Sequence, residues 1–253
     1  MAAAVNQERL TDVMLRIAAN QERDFRWRSL RSLLLPYLGP GDLLDAGCGS
    51  GHLSLEALRR GANVTAVDLS PEMLDVTRRT CAAYTGHLQV RQLDMASIGL
   101  LEPARFDRIL SIDVLEHVKD DMSAARHLAR LLKPKGVMVI LVPAMPSLYG
   151  PRDRAEGHYR RYSRHRLRHM LTQAGLHVTR LRYWNATSLP LVLLFEKLLR
   201  RNMYDDGTRY LSGSLWKRLA NELLAGLLGA ERHVALPAGL SLLATGVHTG
   251  EQG

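Results

Sequence analysis

Between Gly41 and Pro143 the chain alternates between two hydrophobic periods. Short apolar runs, "DLLDAG", "NVTAVDLS", "HLQVRQLD", "FDRILSIDV" and "GVMVILVPA", read as strands, and the last, apolar throughout, is expected at the centre of a sheet. The segments between most of them carry apolar residues every three or four positions, which predicts helices. "HLSLEALRRG" closes at Gly61, a residue suited to the position after a helix. "SPEMLDVTRRTCAAY" opens with Ser70 as N-cap, Pro71 at the first helical position and Glu72 in the first turn. "DDMSAARHLARLLKPKG" begins with acids and stops at Lys-Pro-Lys-Gly. Strands alternating with helices predict a parallel, doubly wound α/β sheet.

The flanks follow other patterns. The first forty residues read as helical, with "MLRIAA" and "WRSLRSLLLPYL" broken at Pro40-Gly41. The stretch from Met145 to Tyr162 is polar, proline-bearing and aromatic. It is too long for an ordinary connection, and such loops are often functional. "SRHRLRHMLTQAG" predicts a helix with Leu167, Met170, Leu171 and Ala174 on one face, and "LHVTRLRYW" a strand. Residues 186 to 232 read as two or three helices before a last strand in "AGLSLLATGVHT". The expected organisation is a helical lid over 1–40, an α/β core over 41–185, a helical insert over 186–232, and the last strand and tail of the same domain over 233–253.

Composition narrows the classes. At 253 residues and 46% hydrophobic, the chain can bury one sizeable core. Its two cysteines, Cys48 and Cys81, match no metal-ligand spacing and suit a reducing compartment. The opening "MAAAVNQERL" turns polar too early for a secretory leader, and the apolar run Leu189 to Phe195 falls far short of the roughly 20 residues a membrane helix needs. A cytoplasmic chain without a transmembrane segment is expected. The net charge of +9 is densest in "PRDRAEGHYRRYSRHRLRHM", residues 151 to 170. Such a stretch suits nucleic acid, anionic lipid, a phosphorylated small molecule or plain solvent, and no nucleic-acid-binding signature accompanies it.

Candidate chemistry begins at "LLDAGCGSG", residues 43 to 51. Gly47, Gly49 and Gly51 fall in a strand-to-helix turn, where missing Cβ atoms permit positive φ and let a ligand approach the main chain. A dinucleotide and a nucleoside bearing an amino-acid tail both fit. The spacing is G-x-G-x-G, and His52 stands where a dinucleotide fingerprint has its third glycine. Asp68 ends the next strand, 17 residues after Gly51, where an acid accepts hydrogen bonds from ribose hydroxyls in either class.

Five segments, in order, resemble class I S-adenosylmethionine (SAM) methyltransferases: "LLDAGCGSG", "VTAVDLSPEML", "VRQLDMASI", "FDRILSIDVLEHV" and "LKPKGVMVILVP". The likeness spans about residues 25 to 185 and implies a Rossmann-like seven-stranded sheet whose last strand is antiparallel beside the fifth. It implies SAM as cofactor, S-adenosylhomocysteine as product, and roles for individual residues. The turn through Gly47, Cys48, Gly49 and Gly51 would hold the methionine tail, and Asp45 would reach its amino group. Asp68 would grip the ribose, Leu69 and Met73 would flank the adenine, and Asp94 and Met95 would border its edge. Ile112 and Asp113 would lie near the methyl donor.

The acceptor side is read from the residues just after the fourth strand. An Asn/Asp-Pro-Pro-Tyr motif, as in methyltransferases of adenine or glutamine, is absent there, and "DVLEHV" resembles small-molecule enzymes, including quinone-pathway O-methyltransferases. No acid cluster suggests a metal-dependent catechol-type site, so no metal is expected. His117 is the first candidate base and His158, in "GHYRRYS", the second. Tyr149, Tyr159 and Tyr162 would shape the acceptor pocket, Tyr162 counted with the catalytic candidates, and Arg160 or Arg161 would bind an anionic acceptor. The arm "VPAMPSLYGPRDRAEGHYRRYS" resembles that of a bacterial subgroup with an aromatic- and arginine-bearing N-terminal helix, which implies that Trp27 and Arg28 close over SAM. Methylation of a small molecule at oxygen or carbon is the expected function. The alternatives are ring closure on the same scaffold beside a radical-SAM partner, and RNA methylation through the arginine-rich arm. The amphipathic insert covers the acceptor pocket, forms a homodimer interface, touches a membrane surface or packs as a plain cap.

Overall fold

The computed structural model describes residues 24–194 and 215–249. The predicted helix at "MLRIAA" and residues 195–214 of the insert lie outside the described residues.

One seven-stranded sheet organises the chain: β1 (Gly41–Ala46), β2 (Ala62–Asp68), β3 (Leu88–Gln92), β4 (Phe106–Ile112), β5 (Leu132–Pro143), β6 (Leu176–Trp184) and β7 (Ser241–His248). Their order is β3-β2-β1-β4-β5-β7-β6. The first five are parallel, and β7 runs antiparallel to both neighbours, Ile140 opposite Ala244 on one side and Leu181 opposite Ala244 on the other. The expected antiparallel last strand is therefore present, and β5, apolar from Gly136 onward, sits inside the sheet, where Met138 to Val142 are buried on both faces. Connections reverse direction across the sheet between β1 and β4, the place where open α/β sheets leave a crevice at their carboxyl edge.

Helices cover both faces. On one side α1 (Phe25–Leu34), α2 (His52–Leu58), α3 (Pro71–Thr80) and α8 (Leu215–Ala230) enclose a core through Trp27, Leu34, Leu43, Leu110 and Leu243. On the other, α4 (Asp121–Leu131) and α6 (Arg164–Gln173) pack around Phe106, Ile140, Tyr162 and Leu171. Two further short helices are α5 (Pro151–Ala155) and α7 (Leu189–Val192). Asp24 caps α1, accepting from the N–H groups of Arg26 and Trp27, and Ser70 caps α3 as expected, accepting from Met73.

Three differences from the sequence expectations have local causes. The helix stops ahead of Lys-Pro-Lys-Gly as expected, at Leu131, but Lys-Pro-Lys-Gly, expected as the turn before the strand, forms an irregular start to β5. Its register jumps between Phe106 and Arg108, with Lys135 at φ 66, and Lys133 Nζ reaches Asp42 and Asp107 at 2.9 and 3.0 Å. The helix after Ser70 ends at Thr80, and a 3-10 turn over Ala82–His87 follows. The arm after β5 is no open loop: a short bridge between Ala144 and Tyr162 closes its base, and α5 lies within it.

Candidate active site

The crevice between β1 and β4 is lined first by the glycine turn. Gly47, Gly49 and Gly51 have φ of 82°, 52° and 74°, a region that only glycine enters without strain. They differ in what a side chain would meet. A Cβ on Gly47 would lie 2.3 Å from Val114 Cγ2, and one on Gly51 2.8 Å from Thr77 Cγ2, so both are pinned by protein packing. A Cβ on Gly49 would meet nothing within 4 Å among the described residues, so this is the glycine that faces the open crevice. The turn is fastened by Gly47 and Cys48 donating to Val67 O, and by Thr77 Oγ1 donating to Gly49 O at 2.8 Å.

Asp68 lies beside this turn. Its Oδ2 accepts from the Gly49 N–H at 2.9 Å and its Oδ1 from the Ser70 N–H at 3.0 Å, which leaves each oxygen one further lone pair. Asp45 is buried below and accepts from Ser54 Oγ at 2.6 Å. Burial, reinforced by the charge of Asp68 and opposed by the Ser54 hydrogen bond, lifts its carboxyl to about 6. Between Gly47 and Gly49 stands Cys48. Its side chain is buried near Thr77 Oγ1 at 3.6 Å, burial pushes the thiol up, and its N–H is committed to Val67, so it supports the turn from below.

Along the adenine side expected from the resemblance, Leu69 is 56% exposed while Met73 and Met95 are buried. Asp94 is exposed and caps the turn that follows it, accepting from Ala96 N at 2.9 Å.

Across the crevice, β4 ends at Ile112 and the chain turns through Asp113, whose φ of 54° is tolerated better by aspartate than by most residues. Asp113 Oδ2 accepts from Arg26 of α1 at 2.7 Å. Arg26 reaches the tip of β4, whereas Arg28 turns to Glu222 of α8 at 2.6 Å in an exposed pair. Trp27 is buried, with its ring edge-on to His52 at 5.6 Å, directly after the glycine turn.

Beyond Asp113 the chain makes a 3-10 turn over Leu115–His117. His117 and His158 meet there, ring centroids 4.6 Å apart and nearly perpendicular, although 41 positions separate them in sequence. The arm is stitched to the turn by the Tyr159 N–H, which donates to Glu116 O at 2.8 Å. Glu116 itself is 1% exposed. Burial, and then the charge of Asp113, push its carboxyl well above the usual range. The surrounding protein, followed by the neighbouring His158, holds the His117 imidazole below its ordinary value.

The arm's other polar residues are spent on its own structure. Tyr162 is fully buried and donates to Asp121 Oδ2 at 2.8 Å, so it anchors the arm. Arg160 pairs with Asp121 at 2.8 Å and the buried Arg161 with Asp153 at 2.7 Å, so neither is held out toward an anionic acceptor. Tyr149 donates to His158 O, and Tyr159 is exposed. Arg26, Glu116 and Asp153 carry much of this geometry and were not singled out by sequence reasoning. Glu116 had a signal in its place beside His117, but the other two are identified only by their partners.

The family model described as "Methyltransferase domain" matches residues 14–181. A ubiquinone biosynthesis O-methyltransferase of Xanthomonas campestris pv. campestris (strain B100) is 37% identical over 98 residues, which are 39% of this chain and 41% of that relative. The match thus spans about two fifths of the curated relative's length. Among solved structures, the complex between the Haloferax volcanii Trm112 methyltransferase activator and a methyltransferase contains a similar chain. Its TM-score is 0.64 at 20% identity, covering 94% of this chain and 97% of that one. The Burkholderia thailandensis 1,6-didemethyltoxoflavin-N1-methyltransferase, with bound 1,6-didemethyltoxoflavin and S-adenosylhomocysteine, has a TM-score of 0.58 at 20% identity, covering 98% and 88%. At that identity the structures share the fold.

Proposed function

This chain belongs to the methyltransferase-domain family, and from that premise we propose that it transfers the methyl group of SAM to a hydroxyl oxygen of a small molecule. The observation that carries the reading is Gly49, whose missing side chain opens the turn to the crevice while its N–H holds Asp68 in place. A nucleoside with an amino-acid tail fits this arrangement, with the tail along Gly49, the ammonium toward Asp45, the ribose on Asp68 and the exposed Leu69 against the adenine. SAM supplies a methyl group on a positively charged sulfur, already a good leaving group. The protein's part is to align donor and acceptor and to keep water out.

Ile112 and Asp113 border the reacting region in this reading, and the His117–His158 pair faces the acceptor. A pair of imidazoles, one held neutral near physiological pH, suits an acceptor that must lose a proton, as a hydroxyl does. The presence of an O-methyltransferase of ubiquinone biosynthesis among the relatives supports oxygen over carbon. Among the described residues no helix is long and apolar enough to cross a membrane.

Calorimetry of the purified protein with SAM, S-adenosylhomocysteine and NAD tests the cofactor. Uptake of the first two and at least a tenfold loss in Asp68→Ala are expected, and uptake of NAD alone overturns the reading. Transfer of label from methyl-labelled SAM to a phenolic acceptor tests the chemistry.

A further inference from the structure

We propose that Glu116, His117 and His158 form a binding site for one divalent transition-metal cation, with zinc the best match. One ligand atom from each residue lies within 4.8 Å of the other two. Two imidazole nitrogens and a carboxylate oxygen make the donor set that catalytic zinc sites use, three protein ligands with a further position open. Ligand atoms around one zinc lie roughly 3.4 Å apart, given bonds of about 2.1 Å, so modest side-chain rotation draws the three together.

Two independent observations point to a cation here. Glu116 is 1% exposed, yet its Oε2 has no hydrogen-bond partner among the described residues. A buried carboxylate oxygen without a partner is costly, and an ion beside it removes the cost. The second is the setting of His158. Its Nδ1 lies 3.1 Å from Asp153 Oδ1, and Asp153 is in turn held by the buried Arg161 and by the Gly150 N–H. A carboxylate behind one ring nitrogen fixes the tautomer and turns the other nitrogen forward, as outer partners of metal-bound histidines do. That forward nitrogen, Nε2, also has Glu156 Oε2 at 3.5 Å, a fourth oxygen close by. Gly157, at φ 78°, makes the turn that delivers His158, and a Cβ there would lie 3.9 Å from His117 Nδ1.

The site lies beside the proposed cofactor crevice, because Val114, two residues before Glu116, is the residue packed against Gly47. A cation there would polarise an acceptor hydroxyl as a Lewis acid. That role rests on the methyltransferase reading, whereas binding of the ion does not.

The test uses the full chain, stripped with a chelator and freed of it, in the absence of SAM. Zinc is titrated in competition with a chromophoric chelator, and cobalt is followed by its visible absorption. Uptake of one equivalent is expected, with the intense absorption of a low-coordinate cobalt site. Glu116→Gln, His117→Asn and His158→Gln should each weaken uptake at least a hundredfold. His117 is the most accessible of the three, so its replacement leaves the fold standing should the buried Glu116 change not. The exposed His165 and His169, stacked one turn apart on α6, offer a competing surface chelate, and His165→Gln/His169→Gln should leave the high-affinity equivalent unchanged. No uptake, or uptake lost in the α6 double variant and kept in His158→Gln, overturns the proposal. Calorimetry with S-adenosylhomocysteine on the same stripped protein reports on the cofactor reading separately.

Discussion

Gly47 and Gly49 stand two positions apart, and an added methyl group separates what they do. At Gly47 it would run into Val114 and occupy a left-handed backbone, so Gly47→Ala should cost about 3 kcal/mol or more in thermal or urea unfolding. At Gly49 the space is open and only the backbone penalty of about 1–2 kcal/mol remains, yet cofactor uptake should be lost. Equal uptake by Gly49→Ala and the parent would remove this glycine from the site. Asp45 gives a prediction in pH. Its folded carboxyl titrates near 6, above the ordinary 3.8, so between those values the folded chain holds a proton that the unfolded chain has released. Stability should therefore fall by up to about 3 kcal/mol as pH rises from about 4 to 6, then level off. An ammonium beside Asp45 favours the charged carboxylate. Affinity for S-adenosylhomocysteine should accordingly drop about tenfold per unit as pH falls below 6, and Asp45→Asn should flatten that slope.

At the level of elements, the arm is the part whose stability and chemistry are most closely joined. Burial works to raise the Asp153 carboxyl, but hydrogen bonds from His158 and Arg161 outweigh it and hold it at about 2. Asp153→Ala leaves the buried Arg161 without its counter-charge, and a loss of about 3–5 kcal/mol is expected by denaturant melt. Tyr162→Phe removes one donor from Asp121, which keeps Arg160 and Arg166, so about 1 kcal/mol is expected with activity unchanged. A large activity loss at full stability would return Tyr162 to the acceptor pocket. The strands were legible because period-two and all-apolar runs report directly on burial, and the Ser70 cap because its chemistry is local. Lys-Pro-Lys-Gly was not, since three strand starts had to converge before Lys133 could find Asp42 and Asp107. The partners of the arm's arginines and of Tyr162 were hidden for a related reason. A sequence gives charge and aromaticity but not the partner that absorbs them, and Asp121 lies 41 positions from Tyr162. The same holds for Glu116, His117 and His158, of which only the adjacent pair is visible in a linear reading.

For the whole molecule, net charge and its disposition part company. The +9 excess suggested a basic face at residues 151 to 170, but four of that stretch's seven arginines, Arg152, Arg160, Arg161 and Arg166, are paired with Glu156, Asp121 or Asp153 in the folded chain. Charges paired in place release fewer counterions from a phosphate backbone, so RNA affinity should be weak and its salt slope shallow. A filter-binding slope of several ions would revive the RNA alternative. On the opposite face, α1 and α8 enclose the core together, with Arg28 on one helix paired to Glu222 on the other. Trp27→Ala should cost about 3–5 kcal/mol and weaken cofactor uptake by releasing His52.

The placement of β7 between β5 and β6 has an outcome for biosynthesis. Translation delivers β1 to β5 first, and the apolar edge of β5 then waits for a partner more than ninety residues downstream, since β6 cannot dock on it without β7. A nascent chain stalled before Ser241 carries a ready template for cross-strand aggregation, and chaperone cover over that interval is what such an arrangement calls for.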